Sequence, residues 1–295
     1  MKKLLLLLTT SFLCFSCSTK EGKEPVSWFS PAEWFGMPKN YSAHGDSVSH
    51  IIDVVTWFML FLFIGWTLFF LYCLIRFRKS ENPKASYHGV KNHVSTHLEI
   101  GVIVIEAVLL LGFALPMWSE RTDNFEQIEA EENPVRVRAI GFQFGWKFHY
   151  AGADGKFGYI DRTTHREPGD SGVDFTSGHG TDDFIMGELK IPVDRPVILQ
   201  VTSTDVIHNF SIIPMRIQQD AIPGKDIPMW FTPIAELETS VVCGQLCGSG
   251  HGNMLGTMKV VSQKEFDKWL ADNSSKADKK NREKAAAKES GLTQK

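Results

Sequence analysis

The chain of 295 residues lacks any excess of positive charge, since its formal net charge at pH 7 is −3. A nucleic-acid-binding protein would be expected to show a basic footprint, so no nucleic acid is expected as a partner. The motif CxxCH is absent, which excludes a haem c attached to this chain. No internal repeat is present. Cysteines number only five, yet two of them lie close together near the C-terminal end.

The N-terminal segment MKKLLLLLTTSFLCFSCSTK joins two lysines to a short apolar run and a small residue before a cysteine. The run is too short to span a membrane, so it predicts a signal peptide over residues 1–16. Ser16-Cys17 resembles a bacterial lipoprotein cleavage site, although Cys14 stands where such sites usually carry leucine. We expect lipidation of Cys17, with membrane lipid as a partner. The alternative is an ordinary signal peptide that happens to contain cysteines.

Two longer apolar stretches, residues 51–76 and 97–118, are each long enough to cross a hydrocarbon core of about 30 Å. The segment that joins them, predicted as a cytoplasmic loop over residues 77–96, is flanked and filled by basic residues and has a single acid, Glu81. A short loop with this bias stays in the cytoplasm. Residues 17–50 and everything after the second span are therefore expected on the periplasmic side of a bacterial inner membrane.

The pattern of residue types along the chain changes after the second span. Short alternating segments rich in aromatic and β-branched residues, such as VRVRAIGFQFGWKFHY, are separated by Pro and Gly. They predict an antiparallel sandwich or barrel within a periplasmic domain of residues 119–270. A long Gly- and Asp-rich stretch is expected to be an extended surface loop, and KEFDKWLAD a short closing helix. Residues 271–295 are highly charged and predict a disordered tail.

The segment CGQLCGSGHGNM, residues 243–254, holds two thiols, an imidazole and a thioether. A disulfide between Cys243 and Cys247 is one interpretation, because exported domains permit it, but it explains neither His251 nor Met254. Zinc is another, although methionine is a poor ligand for it. Soft sulfur ligands with imidazole favour copper. Two thiolates can bridge two copper ions, and each ion then needs its own imidazole.

The second imidazole must come from elsewhere in the fold, and His208 is the best candidate. It lies in VIHNFSII at the end of a predicted strand, after the turn-like STD. A lone histidine on a strand is more often structural than a ligand. Three other histidines are worse placed, because His165 and His179 lie in the Gly/Asp loop and His149 ends an aromatic strand.

These residues and spacings resemble subunit II of the haem–copper cytochrome c oxidases. The motif C-x3-C-x3-H-x2-M matches at residues 243–254, DVIHNF supplies the distal histidine, and QQDAIPGK and GFQFGWKFHY fall where the family has similar segments. The resemblance covers residues 50 to 270. It implies a membrane α-helical hairpin of two transmembrane helices followed by an all-β cupredoxin-like sandwich that holds a binuclear CuA centre.

The resemblance also implies the ligands. One copper ion takes His208 and Met254, the other takes His251 and the backbone carbonyl of Gln245, and the two thiolates bridge them. The family usually has Glu at position 245, which helps to hold a magnesium ion at the contact with subunit I. An amide is a far poorer ligand for a hard cation, which argues against that ion here.

Other functional residues are implied in the same way. The family's electron-entry tryptophan aligns with Phe144, and Trp146 stands two positions on; Trp146 is the preferred candidate. Asp205 matches an acid expected in a surface that docks the donor. Glu99 corresponds to a glutamate at the entrance of a proton channel of subunit I, and its alternative is an interfacial residue that reaches toward the headgroups.

The function implied is an electron-entry subunit of a respiratory terminal oxidase. It accepts electrons from cytochrome c, or from a membrane-bound c-type cytochrome, and passes them to the haem–copper centres of subunit I. Those centres reduce O2 to water with proton translocation, together with the other oxidase subunits. Nitrous oxide reductase has a similar motif but is soluble and larger, quinol oxidases lack the ligands, and a copper carrier has no use for a membrane hairpin.

Overall fold

A computed structural model describes residues 30–84, 87–88, 93–123, 126, 128, 130, 133–161 and 169–289. The predicted signal peptide, the lipidation site Cys17 and His165 lie outside these residues.

Both apolar stretches are helical, and both are long and apolar enough to cross a membrane. The first helix begins earlier than predicted, at Gly45 rather than residue 51. A short helix precedes it on the N-terminal side. The helices are α1 (Pro31–Trp34), α2 (Gly45–Arg76), α3 (Val94–Leu109) and α4 (Leu115–Asp123), with a π-helical turn over Leu110–Ala114.

The π-helical turn divides the second apolar stretch into α3 and α4. It lies immediately before Pro116. Proline has no amide N–H, so the regular ladder of helical hydrogen bonds is interrupted at that point. Glu99 lies in α3 with its side chain exposed.

Within the described residues, ten strands form the domain that follows. They are β1 (Val135–Phe142), β2 (Gly145–Tyr150), β3 (Phe184–Met186), β4 (Glu188–Pro192), β5 (Val197–Ser203), β6 (His208–Ile212), β7 (Ile217–Ala221), β8 (Ile227–Phe231), β9 (Leu237–Cys243) and β10 (Leu255–Val261). One five-stranded sheet has the order β3-β2-β1-β5-β8 and the other β4-β10-β9-β6-β7. The predicted β-sandwich is therefore confirmed.

Two strand pairs differ from the antiparallel arrangement that was predicted. β1 pairs with β5 in parallel, and β4 pairs with β10 in parallel. Each of these pairs joins strands that are distant in the chain. The remaining pairs are antiparallel, and several of them join neighbours in the sequence. The sandwich is a mixed one, which local patterns of hydrophobic residues cannot distinguish from an antiparallel one.

The core lies between the two sheets and is formed by their inward-facing apolar side chains. Its largest fully buried members include Tyr150, Phe148, Phe210 and Phe231. Trp146 continues this layer toward one end of the sandwich, where its ring meets the edge of Phe210 at 5.3 Å between centroids.

The segment before α2 is tied to the sandwich. The amide of Tyr41 donates to the carbonyl of Pro214 at 2.9 Å. Arg216, which follows β6, donates through Nε to the hydroxyl of Ser49 in α2 at 3.2 Å. These bonds connect the segment before α2 and the first turns of α2 directly to the β-domain.

The C-terminal region corrects the prediction of a short closing helix and a disordered tail. A single helix, α5, runs from Gln263 to Glu289. Trp269 packs against Tyr150 and Phe184 with centroid distances of 5.0 and 5.5 Å. Further along, the buried side chains of Ser274 and Asn281 donate hydrogen bonds to the carbonyls of Asp182 and Thr181. These polar contacts, together with Ala277 packed against the core, hold the charged part of the helix.

The Gly/Asp stretch is also more ordered than the surface loop that was predicted, in the residues described. His149 and Asp183 form a fully buried pair, with Nε2 and Oδ2 2.7 Å apart. The amide of Gly158 donates to the same carboxylate at 2.8 Å. Buried polar groups need such partners, so the pair holds this stretch against β2.

Candidate metal centre

The predicted ligands meet at one end of the sandwich because two neighbouring strands carry them there. His208 is the first residue of β6, and Cys243 is the last residue of β9. These strands are antiparallel, with Phe210 opposite Cys243. The other predicted ligands follow in the loop between β9 and β10. Residues 244–253 are called the copper loop below.

The ligand atoms lie close to one another. The Cys243 sulfur is 3.8 Å from Nδ1 of His208 and 3.9 Å from the Cys247 sulfur. The Cys247 sulfur is 3.7 Å from Nδ1 of His251 and 3.6 Å from the sulfur of Met254. The imidazole of His208 and the two thiols form one group with metal-ligating geometry. The structure thus brings together all five side chains predicted as ligands.

These separations fit ligands of metal ions and not a disulfide. Both cysteines are free, and a disulfide would join its sulfurs at about 2.05 Å. Two ligand atoms at bond lengths of about 2.0–2.3 Å from one ion, near the tetrahedral angle, are roughly 3.6 Å apart. Sulfur from cysteine and methionine together with imidazole is a soft donor set, which suits copper. The side chains therefore fit a copper centre.

Gln245 offers its backbone to the same centre. Its carbonyl oxygen is 3.2 Å from the Cys243 sulfur, and its side chain is exposed. The carbonyl of Gln245 thus lies beside the Cys243 sulfur, where the resemblance predicts a backbone ligand.

The centre is shielded from solvent on its inner side. His208 and Met254 are fully buried and Cys247 is nearly so. Burial, followed by the neighbouring thiol of Cys243, raises the pKa of the Cys247 thiol to about 11. A metal ion must therefore displace a proton from this sulfur when it binds.

Asp205, which was predicted to lie in a surface that docks the donor, lies behind the His208 ring. Its Oδ1 is 2.9 Å from Nε2 of His208, and its Oδ2 accepts the amide of Gln143 at 2.7 Å. Only 17% of the side chain is exposed. Burial acts to raise the pKa of Asp205, but hydrogen bonds from Gln143, His208 and Val206 outweigh it and hold the pKa below its usual value.

A carboxylate in this position determines which nitrogen of His208 faces the sulfurs. It accepts a hydrogen bond from Nε2–H, so Nδ1 is left unprotonated as a ligand atom. Partners of this kind fix the ring orientation and tautomer of a metal-binding histidine.

The two aromatic candidates for electron entry, Phe144 and Trp146, are buried to different extents. Trp146 is 4% exposed and its ring lies against His208, with centroids 6.0 Å apart. Phe144 is 39% exposed, in the turn between β1 and β2. It covers the copper loop so closely that a Cβ added at Gly250 would lie 2.5 Å from the Phe144 ring. Of the two rings, Phe144 is the one that an external protein can contact.

The remaining described histidines of the domain have other partners. His149 is buried against Asp183, as described above. His179 is exposed and its Nδ1 lies 2.6 Å from a carboxylate oxygen of Asp154. Neither lies with the thiols in the metal-ligating group.

One contact at this centre has no counterpart in the predicted site. The side-chain amide of Gln143 donates to the carbonyl of Cys247 at 2.5 Å. Gln143 precedes Phe144 in the segment GFQFGW, but nothing in its local sequence indicates that it reaches a loop about a hundred residues further along.

Comparisons with known proteins agree with this geometry. A model of the family described as cytochrome c oxidase subunit II, periplasmic domain, matches residues 135–261. Cytochrome c oxidase subunit 2 of Saccharomyces cerevisiae is 31% identical over 225 residues, which covers 72% of this chain and 81% of that protein. The alternative cytochrome c oxidase subunit 2 of Bradyrhizobium diazoefficiens is 29% identical over 244 residues, with 82% and 84% covered.

Proposed function

The chain belongs to the cytochrome c oxidase subunit II family, and from that premise we propose that it is the electron-entry subunit of a respiratory terminal oxidase. It accepts electrons from cytochrome c or a membrane-bound c-type cytochrome and passes them to subunit I. Subunit I, with the other oxidase subunits, reduces O2 to water and translocates protons. The observation that carries the proposal is the convergence of two thiols, two imidazoles and a thioether at one end of the sandwich.

The side chains at the centre have different proposed roles as ligands of two copper ions. Cys243 and Cys247 would hold the ions through their thiolates, His208 and His251 through their imidazoles, and Met254 and the carbonyl of Gln245 would complete the set. When bound, the copper pair supplies a one-electron redox centre whose charge change is shared between two ions. The rigid β-strands on both sides of the loop keep the ligands in place, and the buried wall around His208 and Met254 excludes water.

Phe144 is the proposed contact for the donor, with Trp146 beneath it beside His208. The exposed Phe144 ring lies directly over the copper loop, so a donor that touches it comes close to the ligands. Asp205 is assigned to orienting His208 rather than to attracting the donor. Because position 245 is glutamine, we expect no magnesium ion to be held through that side chain.

The membrane part serves assembly and proton uptake. We infer that α2 and the α3–α4 stretch cross the bacterial inner membrane, with residues 77–96 cytoplasmic and the sandwich on the periplasmic side. Glu99 lies near the cytoplasmic end of its span, where an acid is costly unless it serves a function, and we assign it to the entrance of the proton channel of subunit I. The N-terminal residues 1–16 are the proposed signal peptide, and Cys17 the lipid anchor.

Turnover of the assembled oxidase tests the electron route. Cys247→Ser should abolish oxygen consumption driven by reduced cytochrome c while the haem spectrum of the complex is retained. Cys73→Ser is the matched control, because Cys73 lies in α2 and is the other described free cysteine outside the centre. Full activity of Cys247→Ser in an assembled complex would contradict the proposed route.

A further inference from the structure

We propose that Gln143 is the positioning residue that holds the copper loop, residues 244–253, against the rest of the sandwich. The inference rests on the proposed function, because it concerns the loop that supplies three of the six proposed copper ligands. Gln143 is neither a ligand nor the ring that faces the donor.

Gln143 is bonded to both ligand-bearing segments. Its side-chain Nε2 donates to the carbonyl of Cys247 at 2.5 Å. Its backbone N–H donates to Oδ2 of Asp205 at 2.7 Å, and Oδ1 of the same carboxylate lies 2.9 Å from Nε2 of His208. One residue in the β1–β2 turn thus links Cys247 on one side to His208 on the other.

The copper loop needs such a link because its own sequence gives it little rigidity. Four of its residues are glycines, and glycine has the greatest backbone freedom to lose on ordering. Gly244 is tied by its amide to the carbonyl of Asn209 at 2.9 Å. Residues 245–253 also need a tie to the rest of the chain beyond residues 243–254. In the part of the chain that the structure describes, that tie is the hydrogen bond from Gln143 to the carbonyl of Cys247.

Packing confirms that the turn and the loop are in direct contact. A Cβ added at Gly248 would lie 2.8 Å from Nε2 of Gln143, and Gly248 has a φ of +138°. A side chain at Gly248 is therefore excluded by both space and backbone conformation. The copper loop packs so closely on the β1–β2 turn that a displacement of Gln143 must also displace the peptide that carries Cys247.

The link also connects the exposed ring of Phe144 to the proposed copper ligands. Phe144 follows Gln143 directly, and its ring lies against Gly248 and Gly250. The hydrogen bond from Gln143 therefore fixes the distance between the ring that faces the donor and the sulfur of Cys247. Partners one step removed from a metal commonly control ligand orientation in this way.

The test replaces the amide in the full chain in detergent. Gln143→Met keeps the length of the side chain and removes the donor, and Gln143→Glu keeps its shape and places an oxygen opposite the carbonyl. Gln218→Met is the matched control, because Gln218 is exposed in β7. Amide hydrogen exchange of the chain stripped of metal by a chelator is followed by mass spectrometry.

We expect exchange in residues 244–253 to rise about ten-fold in both Gln143 variants, which corresponds to the loss of one hydrogen bond. Exchange in β1 and β5, and in the Gln218→Met control, should stay at the wild-type value. After loading with copper, both Gln143 variants should show an altered copper hyperfine pattern in electron paramagnetic resonance spectra.

Wild-type exchange in either Gln143 variant would overturn the inference. Because this exchange is measured without copper, it does not depend on the proposed function. Failure of the wild-type chain to bind copper would contradict the proposed function and leave the exchange result to decide the role of Gln143.

Discussion

Replacing Asp205 by asparagine separates two roles for this acid, orientation of His208 and attraction of the donor. The substitution removes the negative charge and keeps the size of the side chain. A docking role predicts slower association with the donor, an effect that salt weakens. An orienting role predicts weaker copper binding that salt leaves largely unchanged.

The structure allows the size of the orienting effect to be worked out. Donors approach both oxygens of the carboxylate. Oδ2 accepts the Gln143 amide, and Oδ1 faces Nε2 of His208, the Val206 amide and the Ser203 hydroxyl. An asparagine has one oxygen and one NH2 group, so in either orientation one donor faces another donor. Hydrogen bonds to charged groups contribute about 1.5–3 kcal/mol. Loss of an outer partner typically weakens metal binding about 10–100-fold, or roughly 1.4–2.8 kcal/mol, which agrees.

The assay is competition for copper between a chelator and the full chain in detergent, at low and at high salt. Asp272→Asn is the control, since it makes the same charge change at an exposed position of α5. The orienting role would be refuted if Asp205→Asn and Asp272→Asn bound copper with equal affinity and Asp205→Asn was reduced more slowly by cytochrome c at low salt only.

Three further predictions concern the donor, the proton path and the anchor. Phe144→Leu should slow electron transfer from bound cytochrome c in rapid-mixing experiments, with unchanged salt dependence, and wild-type kinetics would contradict Phe144 as the donor contact. Trp146→Leu should instead disturb the copper spectrum, because that ring packs on His208. Glu99→Ala should slow steady-state turnover of the assembled oxidase while copper content and the first electron transfer stay intact; equal turnover would return Glu99 to an interfacial role. Metabolic labelling with a fatty acid should mark the mature chain and should be lost in Cys17→Ala, and an unlabelled wild-type chain would disprove lipidation.

The ligands could be predicted from the sequence because most of them lie within one short loop. Cys243, Cys247, His251 and Met254 have a spacing that already specifies a soft metal centre. The spans were predictable for a similar reason, since length and apolar composition are local properties. His208 could be selected as a candidate by its place at the end of a predicted strand, but its approach to Cys243 depends on the pairing of β6 with β9, which the local sequence does not show.

Residues whose role depends on distant contacts were not predictable in the same way. Asp205 is a typical surface acid by sequence, and only the fold places it behind His208. Gln143 reaches Cys247 because the β1–β2 turn lies over the copper loop. The helical part of the tail could not be predicted because Ser274 and Asn281 hold it through buried polar side chains. The pattern of apolar residues does not indicate such contacts.

The number and state of the copper ions in the full chain test the central claim most directly. Metal analysis of the purified chain after loading should give two copper ions per chain. Electron paramagnetic resonance should show one unpaired electron delocalised over both ions, and Cys247→Ser should convert this to a signal localised on one ion. A single copper ion per wild-type chain, or zinc alone, would contradict the account.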